Sequence, residues 1–305
     1  DDPSSQTTDS VFGLCADTFN VVVTDGMGCV ANGSVIITEP AVLVMTENTH
    51  GDVSCNGGND GFSSVNVVGG TGPYNYNWDL SGTVVSTGQA ANNLVAGSYL
   101  VTVTYANGCT DQINVVINEP NPLNANVTAT DVDCFGASTG EAVVSATGGT
   151  APYTYQWNDA GLQQTDTAFN LVANTAPGYS VTVTDSLGCT FVINNIVINE
   201  PTQLVLNTTT VSSTCGTNNG SATVNVGGGT PGYSYSWNTT PVQGTATASN
   251  ILAGNYVVTV TDANGCVDST TANVTDLGSP TVTIPTSTDV RCNGAADGTA
   301  QSNVV

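Results

Sequence analysis

Apolar and polar residues alternate with a period of two through most of this chain. Tyr99, Val101, Val103 and Tyr105 fall on one face of a strand, with Leu100, Thr102 and Thr104 on the other. The block Tyr74–Trp78 sets Tyr74, Tyr76 and Trp78 against Asn75 and Asn77. This is the pattern of half-buried antiparallel strands. Asn107-Gly108 and Asn264-Gly265 are hairpin signals, and Gly188 holds the same place in a third copy. No segment carries a credible helical period.

The strand pattern is written several times over. GGTGPYNYNW (69–78) returns as GGTAPYTYQW (148–157) and GGTPGYSYSW (228–237). A second block, NLVAGSYLVTVTYANGC, ends at Cys109, and its copies end at Cys29, Cys189 and Cys266, at spacings of 80, 80 and 77 residues. A repeat of this period predicts small domains in series. ITEP closes at Pro40, INEP at Pro120 and again at Pro201, and a looser VTDLGSP at Pro280. Proline cannot donate to a sheet ladder, so a strand ends at each. Full repeats are expected at 41–120, 121–201 and 202–280. Residues 1–40 match the back half of a repeat and 281–305 the front, as in a window on a longer array. About seven short strands per repeat, with Cys-to-Trp gaps of 23, 23 and 22 residues, predict an immunoglobulin-like sandwich.

Together, CNGGNDG (55–61), GGTGPYNYNW, AGSYLVTVTYANGC and INEP resemble the SprB-type repeat of giant surface adhesins in gliding Bacteroidota. AGSYLVTVT also resembles PKD-like sandwich domains. The resemblance implies an all-β tandem array of extracellular sandwich modules, exported by the type IX system and strung into cell-surface filaments. It implies no catalytic residue. The first copy departs from the pattern: Phe19 replaces the strand tyrosine, and Cys15 stands where other copies have Val95, Val172 or Leu252.

Composition narrows the functions. Formal net charge is −23, Lys is absent and Arg291 is the one strong base. Such a surface cannot neutralise phosphates, which excludes nucleic acid, and it has no attraction for anionic headgroups. No apolar run approaches the ~20 residues that span a bilayer. Without lysine, no Lys–Asn isopeptide bond can brace the modules. Partners are expected among neighbouring repeats of the same chain, with copies of itself or surface polysaccharide as further candidates.

Nine cysteines at fixed places predict disulfides in an oxidising compartment. Three connectivities compete. Pairing within repeats gives Cys55–Cys109, Cys134–Cys189 and Cys215–Cys266. Pairing across boundaries in sequence gives Cys29–Cys55, Cys109–Cys134, Cys189–Cys215 and Cys266–Cys292. The third joins the first cysteine of one repeat to the second of the next, as in Cys55–Cys189. The within-repeat scheme is favoured, because a marginal module gains most from its own staple. Cys15 is the odd one out, free or cross-linked to another chain.

No catalytic constellation is expected. His50 is the lone histidine, in the polar run ENTHGD, which reads as a solvated loop. No cofactor is expected; calcium is the alternative. Asp25, Asp185 and Asp262 share one hairpin position, and Asp60 and Asp297 share a loop position. Tyr105 replaces the first kind, and Thr139 and Asn219 replace the second, so turn chemistry is the simpler reading. Trp78, Trp157 and Trp237 are expected in the core, although exposed copies would suit a glycan. Ser10, Thr167 and Ser186, with Ser269 a looser match, resemble O-glycan signals. The N-x-S/T sequons at Asn32, Asn126, Asn207, Asn219, Asn238 and Asn273 are what an Asn/Thr-rich chain produces. The expected role is a semi-rigid stalk holding an adhesive region away from the cell. The alternatives are repeats that bind glycan or calcium themselves, or a self-associating fibre.

Overall fold

The computed structural model describes residues 9–174, 177–294 and 296–304, and every described element is a strand. A hairpin of β1 (Asp17–Thr24) and β2 (Val30–Ile37) comes first. The first full repeat holds β3 (Val44–Gly51), β4 (Gly61–Val68), β5 (Tyr74–Leu80), β6 (Thr83–Ser86), β7 (Ala90–Leu94), β8 (Gly97–Tyr105) and β9 (Thr110–Ile117). The second holds β10 (Asn124–Thr130), β11 (Gly140–Thr147), β12 (Thr154–Trp157), β13 (Thr167–Leu171), β14 (Tyr179–Thr184) and β15 (Thr190–Ile196). The third holds β16 (Val205–Val211), β17 (Gly220–Gly227), β18 (Ser234–Trp237), β19 (Thr247–Ile251), β20 (Gly254–Thr261) and β21 (Val267–Val274). A pair, β22 (Val282–Thr288) and β23 (Thr299–Val304), follows.

Each full repeat is two small sheets. In the first, β3-β4-β7 faces β6-β5-β8-β9; the second has β10-β11-β13 and β12-β14-β15; the third has β16-β17-β19 and β18-β20-β21. The chain thus crosses between sheets in the manner of immunoglobulin-type sandwiches. Seven strands form in the first repeat and six in each of the others. The extra strand, β6, exists because Ser81 and Gly82 both adopt positive φ (52° and 88°) and close a tight hairpin onto the β-branched run Thr83–Val85. The equivalent segments, Asn158–Thr165 and Asn238–Thr245, lack that run.

The cores are built from both sheets. Met45 and Val65 of one sheet meet Trp78, Val101 and Val103 of the other. Ala222, Val224 and Ala248 likewise meet Trp237, Val258 and Val260. Trp78, Trp157 and Trp237 are buried at the centre, each indole N–H donating to a carbonyl, of Gly88, Thr165 and Thr245 respectively, at 2.8–2.9 Å. Tyr99 and Tyr256 donate their hydroxyls back to the carbonyls of Val95 and Leu252, and Tyr179 does so to Val172. This is the tyrosine corner of immunoglobulin-like sandwiches. Phe19, which replaces this tyrosine in the first copy, has no hydroxyl to make it.

By contacts the chain forms two units. One runs up to Asn124 and includes Thr147–Tyr153 and Thr184–Thr190; the other comprises Ala125–Ala146, Thr154–Val183 and the chain from Phe191 onward. The loop and hairpin tip of the second repeat therefore belong, by contact, with the first.

Candidate functional site at the cysteine junctions

The residues singled out in the sequence gather at two ends of each repeat. One end carries the loop of the first cysteine. In the first repeat the amide of Val53 donates to the Asn118 carbonyl at 2.9 Å, and that of Gly57 to the Glu119 carboxylate at 2.5 Å. In the second, Val132 bonds Asn199 and Gly136 bonds Glu200; in the third, Ser213 bonds Thr275 and Gly216 bonds Asp276. Asn118 and Asn199 also give their own amides to Asp52 and Asp131, each at 2.8 Å. The closing INEP is therefore more than a boundary mark. Its carboxylate and backbone hold the cysteine loop of its own repeat.

Within that loop one side-chain acceptor recurs in different guises. Asp60 accepts from the Ser54 amide, Thr139 from Asp133, Asn219 from Thr214 and Asp297 from Arg291. Aspartate, threonine and asparagine all supply an oxygen, which is all the turn requires. That explains why the aspartate is not kept.

The other end carries the final hairpin and the GGT loop. Oδ1 of Asp185 accepts the amides of Leu187 and Cys189, and Oδ2 accepts that of Thr150 at 2.8 Å. Asp262 repeats this with Asn264, Cys266 and Thr230, and Asp25 caps Met27 and Cys29. Burial pushes the Asp185 carboxyl up, and the amides of Thr150, Cys189, Leu187 and Gly188 outweigh it and hold the group below the usual range. For Asp262 the Thr230 amide is the largest influence, again downward. Asp185 and Asp262 are turn caps with both oxygens engaged, and Asp25 engages one. Among the described residues no group of three or more His, Cys, Asp or Glu could hold a metal ion.

The GGT loop rests on the linker that enters the repeat. Gly70, Gly149 and Gly229 donate to the carbonyls of Ala41, Asn121 and Thr202, each at 2.8 Å. The preceding glycines, Gly69, Gly148 and Gly228, have φ of 66–79°, and a Cβ there would lie 1.9–2.0 Å from a linker carbonyl oxygen. Only glycine fits. Tyr74, Tyr153 and Tyr233 close the loop by donating to those glycine carbonyls at 2.6 Å.

The two kinds of end meet at disulfides. Cys55 bonds Cys189, and Cys134 bonds Cys266, both with Cα atoms 5.6 Å apart. At the second junction Asn264 Nδ2 also donates to the Asp133 carbonyl at 3.0 Å. This corrects the within-repeat expectation: Cys55–Cys109, Cys134–Cys189 and Cys215–Cys266 do not form. In the first repeat the whole of β9 separates Cys109 from the end that holds Cys55, roughly 25 Å at a strand's rise per residue. In the third, β21 separates Cys266 from Cys215 in the same way. A disulfide tolerates a Cα separation of only about 6 Å. Cys15, Cys29, Cys109, Cys215 and Cys292 are exposed thiols.

The remaining candidates are dispersed. His50 lies at the end of β3 rather than in a loop, with Nδ1 2.9 Å from Glu47 and Nε2 2.7 Å from Asp52. Its bonds to Glu47 and then Asp52 raise its pKa. Ser63 donates to Glu47 and not to His50, so the histidine does not stand between nucleophile and acid as a triad demands. Among the O-glycan candidates, the Ser186 hydroxyl is bonded to the Thr150 carbonyl, Thr167 bonds Asp166, Ser269 is exposed and Ser10 is exposed near the start of the described chain. The tryptophans considered for glycan stacking, Trp78, Trp157 and Trp237, are buried in the cores.

Among solved structures, the chain is similar to three N-terminal domains of the outer capsid protein Hoc of bacteriophage RB49, with 14% identity, 78% of this chain and 99% of that one covered, and a TM-score of 0.35. It is similar to Sidekick-1 immunoglobulin domains 1–5 (10% identity, 87% and 67% covered, TM-score 0.36) and to a tetra-tandem repeat from the extending region of a large adhesion protein (13%, 84% and 81%, TM-score 0.28). Scores of this size carry no weight for the whole chain, and the sandwich rests on the sheets and cores above. No curated protein matches the chain significantly. A family model described as "SprB repeat" matches residues 48–83, 126–162 and 207–241, segments that run from the cysteine loop through the core tryptophan. The chain carries three SprB repeats.

Proposed function

We propose that this chain is the repeat region of an extracellular adhesin, in which the sandwiches act as a covalently coupled spacer holding an adhesive part away from the cell. SprB repeats belong to surface adhesins, and two disulfides suit an extracytoplasmic compartment. The observation that carries the reading is the placement of the staples. Each joins one repeat to the next and closes nothing within a repeat, which serves transmission of load between modules. The SprB repeat is not an enzyme family, and the proposed work is mechanical.

Force is the test. From Cys55 to Cys266 the chain holds 211 residues, an extended length of roughly 720 Å. With both disulfides closed, the shortest covalent route crosses from Cys55 to Cys189, returns along the chain to Cys134 and crosses to Cys266. It holds 55 residues, roughly 190 Å. Single-molecule pulling of the oxidised chain should release only the shorter length over this region, and reductant should restore the longer. Release of the full length without reductant would defeat the spacer reading.

A further inference from the structure

The second and third repeats share a surface groove that the first repeat fills. In the first, β5 runs two residues beyond Trp78, and Leu80 lies opposite Tyr99 and packs on the core. Tyr99 is only 1% exposed. The corresponding strands β12 and β18 end at their tryptophans, Trp157 and Trp237. Beyond them a side chain takes over the ladder: Oδ1 of Asn158 accepts the Ser180 amide at 2.7 Å, and Oδ1 of Asn238 accepts that of Val257 at 2.9 Å. Asp159 and Thr239, which hold the place of Leu80, turn back into their own loops. Asp159 accepts from Gly161 and Gln163, and Thr239 donates to the Pro241 carbonyl. The corner tyrosines of these repeats, Tyr179 and Tyr256, are left partly exposed. Each lines a groove, of about 350 Å³ in the second repeat and about 660 Å³ in the third. Small-molecule sites span roughly 300–1,000 Å³. Every residue lining the smaller groove has its counterpart in the larger, so the groove belongs to the repeat and not to one loop.

The larger groove has a distinct chemistry. Its wall is braced by Gln243, whose amide both donates to the Ser249 carbonyl and accepts the Ser249 amide. Asn218 and Asn250 are exposed on it, and among the described residues their side chains have no hydrogen-bond partner. The Tyr256 hydroxyl is held by the Leu252 carbonyl, which fixes the ring. None of the lining residues is charged. A free amide both donates and accepts, as does a sugar hydroxyl, and an aromatic ring offers an apolar face to the C–H groups of a sugar ring. An anionic ligand would meet a chain of charge −23. We propose that this groove binds a neutral sugar residue of a polysaccharide, with Tyr256 as its platform and the amides of Asn218 and Asn250 on its hydroxyls. The second repeat's groove, smaller and walled by Phe169 and Val172, is a weaker copy. The first repeat has the space filled by Leu80. The proposal stands apart from the spacer reading, since a chain that bound no sugar would keep both disulfides.

The test titrates the full oxidised chain with cellohexaose, laminarihexaose, xylohexaose and mannohexaose, and follows the backbone amides by two-dimensional NMR. At least one sugar should shift the amides of Asn218, Asn250 and Tyr256 to saturation and leave that of Tyr99 unmoved. Added salt should not change the affinity, because no charge takes part, and a galacturonate hexamer should not bind. Asn218→Ala combined with Asn250→Gly removes both free amides, and glycine keeps the positive φ of 55° accessible. This variant should bind at least tenfold more weakly while its Trp237 fluorescence matches the parent's, which shows that the third repeat is folded. Ser249→Phe, which copies Phe169 into the larger groove, should weaken binding as well. No saturable shift with any of the four sugars, shifts centred away from Tyr256, or undiminished affinity in the double variant would overturn the proposal.

Discussion

The interior of a repeat and its junction are built on opposite principles. The interior is apolar and self-contained: Trp237, Val258, Val260 and their neighbours are buried within one repeat and owe nothing to the next. The junction is polar and shared. It consists of amides caught by carboxylates, glycines pressed against a linker, and a sulfur bridge whose two ends come from different repeats. Hydrophobic burial makes each module; covalent and hydrogen-bonded contacts make the array. Damage to an interior should unfold one module, and damage to a junction should uncouple modules that stay folded.

That contrast can be broken in several places. Cys55→Ser should have the largest effect. Its disulfide closes 134 residues, for which chain entropy gives up to roughly 5 kcal/mol. The loss should appear as separation of one unfolding transition into two in calorimetry, with each repeat's own strand signal retained. Trp237→Ala should cost about 3–5 kcal/mol from the cavity it leaves. Hydrogen exchange should place the loss in the third repeat alone. Gly148→Ala forces a Cβ against the Pro122 carbonyl at positive φ, and should cost about 2 kcal/mol or more while sparing the Trp157 environment in near-ultraviolet spectra. Asp262→Asn is a smaller change, read by pH. The folded carboxyl titrates below its unfolded value, so it stabilises above the ordinary carboxylate range and that stability fades as pH falls through the depressed pKa. The asparagine variant should lose that part of the acid dependence. His50→Asn should be smallest, about half a kcal/mol or less for a surface pair. Because His50 titrates above its unfolded value, its contribution is full below the ordinary histidine pKa and disappears as pH rises through the raised one. A flat difference between variant and parent across that range would show that the pair contributes nothing.

Much of the interior was legible in the sequence. The alternation of Tyr99, Val101 and Val103 is the alternation of the core face of β8, and the tryptophan spacing marks the centre of each sandwich. Period-two patterning reports burial directly, because each side chain's face follows from its parity. The junction was less legible because it depends on which ends of the repeats face each other. A within-repeat Cys55–Cys109 bond would have to span the length of β9, which carries the chain from Cys109 to the end that holds Cys55. Its eight residues were the available signal. The acceptor position held by Asp60, Thr139 and Asn219 looked unconserved in charge, yet the turn asks only for an oxygen. The shared role of Glu119 and Glu200 was visible as INEP, but only the fold shows the cysteine loop it restrains.

Connectivity of the cysteines is the point on which the coupled-spacer account turns, and a non-reducing peptide map measures it. Trypsin has one site, Arg291, so an aspartate- or aromatic-directed protease is needed. The account predicts peptides joining Cys55 to Cys189 and Cys134 to Cys266. Peptides joining Cys55 to Cys109 and Cys134 to Cys189 would contradict it.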